Sequence, residues 1–206
     1  MFARASTIQA NRSSIDMGVA HVRDEVLTAL KQLDGFIGLS MMVDRESGRC
    51  IATSAWRDEE TMRASAAQVE PVRNRAAATL GGDATVEEWE IAMMHRDHPT
   101  HEGACVSSAW LRTDSGRIGD LVDTYKLGVL PQIEGVGGFC SASVMVNRAS
   151  GRAVMSVCFE SRAAMEAGRK QAEQMTSTGA QQAGATIVDV REFELALAHL
   201  RVPEMA

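Results

Sequence analysis

Two hydrophobic periods alternate along this chain, and the alternation runs through twice. Phe2–Gln9 is a short extended run. Polar Asn11–Ser14 then offers helix caps, and apolar residues follow at Ile15, Val19, Val22, Val26, Leu30 and Leu33. That three-to-four spacing predicts one face of a helix, closed by Asp34-Gly35. Phe36–Asp44 and Arg49–Trp56 are rich in β-formers and flank Glu46-Ser47-Gly48, which predicts a hairpin with glycine at the turn. Asp58 can cap a second helix running to about Leu80, where Gly81-Gly82-Asp83 stops it. Thr85–His95 alternates, with Trp89, Ile91, Met93 and His95 on one face and Glu88, Glu90, Ala92 and Met94 on the other. The order is β-α-β-β-α-β.

The order then starts again. Roughly 103 residues beyond Phe36–Ala64, Phe139–Ala167 repeats it without a gap, with about ten identities in thirty positions. Arg45-x-Ser47-Gly48-Arg49 meets Arg148-x-Ser150-Gly151-Arg152, and Met62-x-Ala64 meets Met165-x-Ala167. Cys105–Arg112 becomes the first strand of the second unit, Ile118–Glu134 its first helix, and Phe139–Asn147 with Arg152–Phe159 its hairpin. Ser161 caps the second helix, which runs to about Gln182, and Thr186–His199 is the last strand. The expected organisation is a duplication: unit one over 1–95, a polar linker over 96–103, and unit two over 104–206. The tail Arg201–Ala206 is expected to fray.

Length and charge narrow the classes. At 206 residues the chain has room for two units of about 100 residues. A formal net charge of −6 argues against a nucleic-acid partner, because a phosphate backbone demands a basic surface. No apolar run approaches the length of a membrane span, and Met1–Gln9 carries Arg4 where a signal peptide would be apolar, so the cytoplasm is expected. Cys50, Cys105, Cys140 and Cys158 have no C-x-x-C spacing and lie in apolar strand runs, which reads as buried thiols.

A βαββαβ unit with both helices on one face leaves its other sheet face open, and here that face carries Ala, Ser, Met and Val. Such a face needs a partner, and a second fused unit can supply one. The expected fold is therefore α+β: two ferredoxin-like units forming an intramolecular dimeric α+β barrel, with further oligomers left open. The strand order, the hairpin and Trp56-Arg57-Asp58-Glu59-Glu60-Thr61-Met62 at the strand-to-helix corner resemble the dimeric α+β barrel superfamily, in its antibiotic biosynthesis monooxygenase-like branch. The resemblance implies a cofactor-independent monooxygenase for a small aromatic or polyketide-like substrate, or a non-catalytic barrel that binds a small molecule. It also implies that Trp56 lines a ligand pocket in unit one, where unit two has Phe159. Members of the resembled family often carry a histidine about two turns beyond the corner, and it would be the axial ligand for heme. This chain has Ser65 and Gly168 there, so no heme, and no other cofactor, is expected.

Beyond Trp56, the candidate ligand-binding residues are Trp110, Tyr125, Glu88 and Glu90. Trp110 has Thr7 opposite it in unit one, which leaves a pocket or interface role open. Tyr125, the only tyrosine, sits near a helical apolar stripe, where it either packs or reaches a ligand. Glu88, Glu90, Glu192 and Glu194 recur as acid-aromatic-acid triplets; they either converge as a proton acceptor or pair with Arg4 and other arginines. His95, His98 and His101 recur at threes, but a linker holding Pro99 lacks the rigid scaffold of a metal centre, and no metal is expected. The second helix of unit two turns Gly168, Ala172 and Gly179 inward, so it either approaches its neighbours closely or leaves space for a ligand. No catalytic residue is assigned.

Overall fold

The computed structural model describes residues 1–205. Its strands are β1 (Phe2–Gln9), β2 (Phe36–Val43), β3 (Arg49–Trp56), β4 (Ala84–Arg96), β5 (Cys105–Arg112), β6 (Phe139–Asn147), β7 (Arg152–Phe159) and β8 (Thr186–His199). Their hydrogen-bonded order, β1-β3-β2-β8-β5-β7-β6-β4, closes on itself as an eight-stranded barrel. The helices are α1 (Ile15–His21), α2 (Leu27–Leu30), α3 (Glu59–Ala64), α4 (Ala66–Leu80), α5 (Ile118–Thr124), α6 (Leu130–Ile133) and α7 (Arg162–Gln182).

Two compact units share the chain. Unit one takes residues 1–89 and 194–202, and unit two takes 90–193 with the residues from Pro203 onward. Each unit thus includes the end of a long strand begun in the other segment. In unit one β1 runs antiparallel to β3, β3 to β2, and β2 to the end of β8, with Leu39 opposite His199 and Val43 opposite Glu194. In unit two β5 pairs with β7, β7 with β6, and β6 with the end of β4, with Glu90 opposite Val146 and Arg96 opposite Ser141.

The repeated hairpin turn follows from its side chains. Asp44 accepts the backbone N–H of Glu46 at 2.9 Å, and Asn147 accepts that of Ser150 at 3.0 Å, a side-chain mimic of a turn. Gly48 and Gly151 then sit at φ of 81° and 65°. A Cβ there would lie 2.5 Å from the Ala10 carbonyl oxygen or 2.0 Å from that of Thr113, so only glycine fits.

Each unit has its own core. In unit one Ile15, Val19, Val22, Leu30, Trp56, Met62 and Leu80 are buried together; in unit two Ile118, Leu121, Ile133, Phe159, Met165 and Ala183 are. The four cysteines are free and buried. Burial pushes the Cys50 thiol up to about 11 and that of Cys158 to about 12, which leaves both unreactive.

Three features depart from the sequence reading. The first helix of each unit contains a wider π-helical turn, at Val22–Val26 and again at Tyr125–Val129. The second helix of unit one breaks at Ser65, whereas that of unit two is continuous. The break has a local cause. The Met62 carbonyl, which would bond the next helical turn, accepts from Arg4 Nη2 at 2.7 Å and from Ser65 Oγ at 2.7 Å. Third, the tail over residues 201–205 is held in place, Ala206 lying outside the described residues. Val202 is buried, Glu204 bonds His95 and the Arg96 N–H, and the Met205 N–H donates to the Met94 carbonyl at 2.7 Å.

Candidate functional site

The matching place in the two units, between the sheet and the second helix, differs sixfold in free space. Unit two has a cavity of about 240 Å³ whose wall includes Ser107, Tyr125, Phe159, Arg169 and Glu192. Unit one keeps only about 40 Å³ there, beside Arg4, Ser6, Val22 and Val69. In the repeat Arg4 corresponds to Ser107, Val22 to Tyr125 and Val69 to Ala172.

Arg4 fills the space in unit one. Its side chain is 3% exposed, with Nη2 3.0 Å from Glu88 Oε1 and Nη1 3.1 Å from Ser65 Oγ. A long cation can be buried because its donors meet a carboxylate, a hydroxyl and the Met62 carbonyl. In unit two Ser107 is too short to reach across, and the partner of Glu192 is instead Arg169 on α7, Nη2 to Oε2 2.8 Å. That pair stands at the wall of the cavity, whose lining mixes apolar groups with the hydroxyls of Ser107, Thr176 and Ser177.

Tyr125 opens the π-helical turn of unit two and is 2% exposed. It lines the cavity, and among the described residues its hydroxyl has no hydrogen-bond partner. Burial raises its phenol pKa far above the ordinary value, so it is a neutral donor at any physiological pH. An unpaired hydroxyl at a cavity wall is costly unless a guest satisfies it. Wider turns of this type recur at functional sites because they rotate a side chain out of the regular stripe.

The other candidate residues have partners of their own. Trp56 is fully buried, its indole N–H donates to Ser54 Oγ at 3.0 Å, and Phe36 packs edge-on at 5.8 Å. It is not on the wall of the unit-one space, whereas its counterpart Phe159 is on the wall of the unit-two cavity. Trp110 meets Phe193 at 6.3 Å and is not on that wall. The four carboxylates each have an arginine: Glu88 pairs with Arg4, Glu90 with Arg148, Glu192 with Arg169 and Glu194 with Arg45. Arg148 holds the Glu90 carboxyl below its ordinary pKa. Of the sequence candidates, Tyr125 and Glu192 are on the wall of the unit-two cavity. Ser107 and Arg169 were missed. Their signal lay in the comparison of repeats, as an arginine replaced by serine and an alanine, Ala66, replaced by arginine inside an otherwise matching frame.

The helix glycines answer the question left by α7. A Cβ on Gly168 would come within 2.5 Å of Val136 Cγ1, and one on Gly179 within 2.5 Å of Val129 Cγ2. They permit close approach to the first-helix segment, while Ala172 and Ser107 leave the cavity. The same contact bears on heme. Gly168 has no room for a ligating side chain, and Ser65 is engaged by Arg4. No histidine lines either space, and the phenol of Tyr125 resists ionisation. These residues do not fit heme iron. Among the described residues, no group of three His, Cys, Asp or Glu side chains is placed to hold a metal ion.

Solved structures resemble this chain throughout. An anthrone oxidase-like protein superposes with a TM-score of 0.68 at 13% identity, over 96% of this chain and 91% of its own. An uncharacterized ferredoxin-fold protein of Listeria monocytogenes, related to antibiotic biosynthesis monooxygenases, gives 0.53 at 7%, over 94% of each. A heme-degrading enzyme from Listeria monocytogenes gives 0.54 at 8%, over 94% of this chain and 99% of its own. At such identities the likeness is one of fold. No family profile matches the sequence. The uncharacterized protein Rv2557 of Mycobacterium tuberculosis is 55% identical over 205 residues, covering 100% of this chain and 92% of that protein. The uncharacterized protein Rv2558 of the same organism is 52% identical over 206 residues, covering 100% of this chain and 87% of that protein. The chain belongs to the family of these two Mycobacterium tuberculosis proteins, built on the dimeric α+β barrel fold of the antibiotic biosynthesis monooxygenase-like proteins.

Proposed function

We propose that this protein binds a small, mostly apolar molecule in the cavity of unit two, and that unit one is its filled, structural counterpart. One observation carries the reading: the matching places hold about 240 Å³ and about 40 Å³, and the buried Arg4 accounts for the difference. A largely apolar wall with few polar groups is the usual form of a small-molecule site. The gapless repeat and matching element order support descent of both units from one duplicated ancestor, with only the second keeping its site. The four free thiols suit the reducing cytoplasm.

The test is calorimetric titration of an aromatic and bicyclic ligand panel into the wild type and Ser107→Arg, with melting curves to verify folding. Ligands that bind the wild type should lose at least about tenfold in affinity when arginine refills the space. Unchanged affinity in the folded variant would place the ligand elsewhere.

A second reading is oxidation within the same cavity, in line with the anthrone oxidase-like neighbour. Two groups favour it: the Glu192 carboxylate at the wall as proton acceptor, and the Tyr125 hydroxyl as donor to a developing oxyanion. An activated ring CH₂ would lose a proton to Glu192 and pass electrons to O₂, and the resulting peroxide would lose water to leave a carbonyl. The balance is one CH₂ and one O₂ to one C=O and one H₂O. Oxygen uptake equal to product formed, lost in Glu192→Gln, would establish it; binding without uptake leaves the protein a binder.

A further inference from the structure

Tyr125 poses the sharpest unanswered demand in the molecule. Its ring is on the wall of the cavity, and its hydroxyl is buried with no partner among the described residues. The same wall carries apolar Ala109, Val157, Phe159 and Met165, and the hydroxyls of Ser107, Thr176 and Ser177 on it make no bond to Tyr125. A neutral phenol in such surroundings needs an acceptor, and the guest is the group left to supply one.

Charge at the wall restricts that guest further. Arg169 is occupied by Glu192, and Glu173 adds a second carboxylate. One cation and two anions repel an incoming anion, and the apolar interior would strip the water from any ion. Size sets a third limit. An apolar cavity of about 150 Å³ accommodates one benzene ring, so about 240 Å³ has room for a bicyclic frame rather than a larger fused system.

From these three limits, and resting on the binding reading above, we infer that unit two selects an uncharged bicycle-sized molecule whose carbonyl oxygen accepts a hydrogen bond from Tyr125. Tyr125 is then the specificity-determining residue, and the matching Val22 shows that unit one has no equivalent donor.

The experiment uses three probes of one size: tetralin, 1-tetralone, which adds only a carbonyl, and 1-naphthoate, which adds a carboxylate. Calorimetry on the intact protein should show 1-tetralone binding roughly tenfold tighter than tetralin. Naphthoate should show no binding at concentrations where tetralone saturates. Tyr125→Phe should bring tetralone down to the tetralin level and leave tetralin within about twofold. An independent readout needs no variant: the infrared band of ¹³C-labelled tetralone carbonyl should lie lower when bound to the wild type than in hexane.

Equal affinities for tetralin and tetralone, with the carbonyl band at its hexane position, would overturn the role of Tyr125 while the cavity remained a binding site. Naphthoate binding as tightly as tetralone would overturn the selection against charge. If neither neutral bicycle binds, the cavity reading falls and this inference with it.

Discussion

The two units share one order of elements, yet a few positions send them apart, Arg4 against Ser107 foremost. On the first strand, unit one has Arg4 in β1 and unit two has Ser107 in β5. Arg4 ties Glu88, Ser65 and the Met62 carbonyl together, breaks the helix at Ser65 and fills the space. Ser107 does none of this: α7 runs through, Glu192 turns to Arg169, and a cavity remains. A buried cation in one repeat and a void in the other are thus two outcomes of one framework. The equivalent histidines diverge as well. His95 lies between Glu134 at 2.8 Å and Glu204 at 2.7 Å, whereas burial, Lys31 and Arg201 lower the pKa of His199.

The contrast breaks most sharply at Arg4. Arg4→Ala should destabilise the protein by about 2–4 kcal/mol, because Ser65 and a partly exposed Glu88 lose a buried partner and a void opens. Ser107→Ala should cost less than about 1 kcal/mol. Urea denaturation midpoints decide it, and equal losses would mean that Arg4 does not organise unit one. Trp56→Phe copies unit two at the corner, keeps most of the packing and leaves Ser54 Oγ without the indole donor. A loss of about 1–2 kcal/mol is expected in the same assay.

Gly168→Ala sharpens the comparison from the other side. The new methyl would meet Val136 Cγ1 at 2.5 Å, an overpacking cost of about 1–3 kcal/mol. A gain of about 0.8–1 kcal/mol in helix propensity offsets part of it. The net expectation is a loss of up to about 2 kcal/mol in thermal unfolding; a more stable variant would show that Val136 yields freely.

The smallest effect separates the helix caps by pH. Asp58 accepts the Thr61 N–H at 2.8 Å, whereas unit two uses uncharged Ser161 on the Ala164 N–H at 3.2 Å. Bonds from Thr61 and Arg57 hold the Asp58 carboxyl at about 2, below its ordinary 3.8. A lowered folded pKa means the contribution is complete above about pH 4 and is lost as pH falls toward 2. Asp58→Ser should therefore flatten part of the acid limb of a stability-pH curve, and Ser161→Ala should lower the whole curve without changing its slope there.

Much of the fold was legible because its signals are local. The alternation of Trp89, Ile91 and Met93 marked the buried face of β4, and the repeated Ser-Gly-Arg turns marked both hairpins. Asp58 and Ser161 announced helix starts, and both side chains do cap. The π-helical turns were not legible, since spacing from Val19 to Val22 to Val26 suits a regular helix equally well. Nor was the ordered tail, which depends on Glu204 meeting His95, about a hundred residues away in sequence.

The site divides along the same line. Sequence alone determined the βαββαβ order of each unit, the glycine turns and the caps, because backbone sterics and periodic burial act within a few residues. It also placed Tyr125 near the apolar stripe, and it offered pairing with Arg4 and other arginines as one of two fates for the repeated glutamates. Tertiary structure alone decided that Arg4 fills a space, that Ser107 leaves one, and that the Tyr125 hydroxyl stays unpaired beside it. A void is what several distant side chains jointly fail to occupy, and no single stretch of chain records that failure.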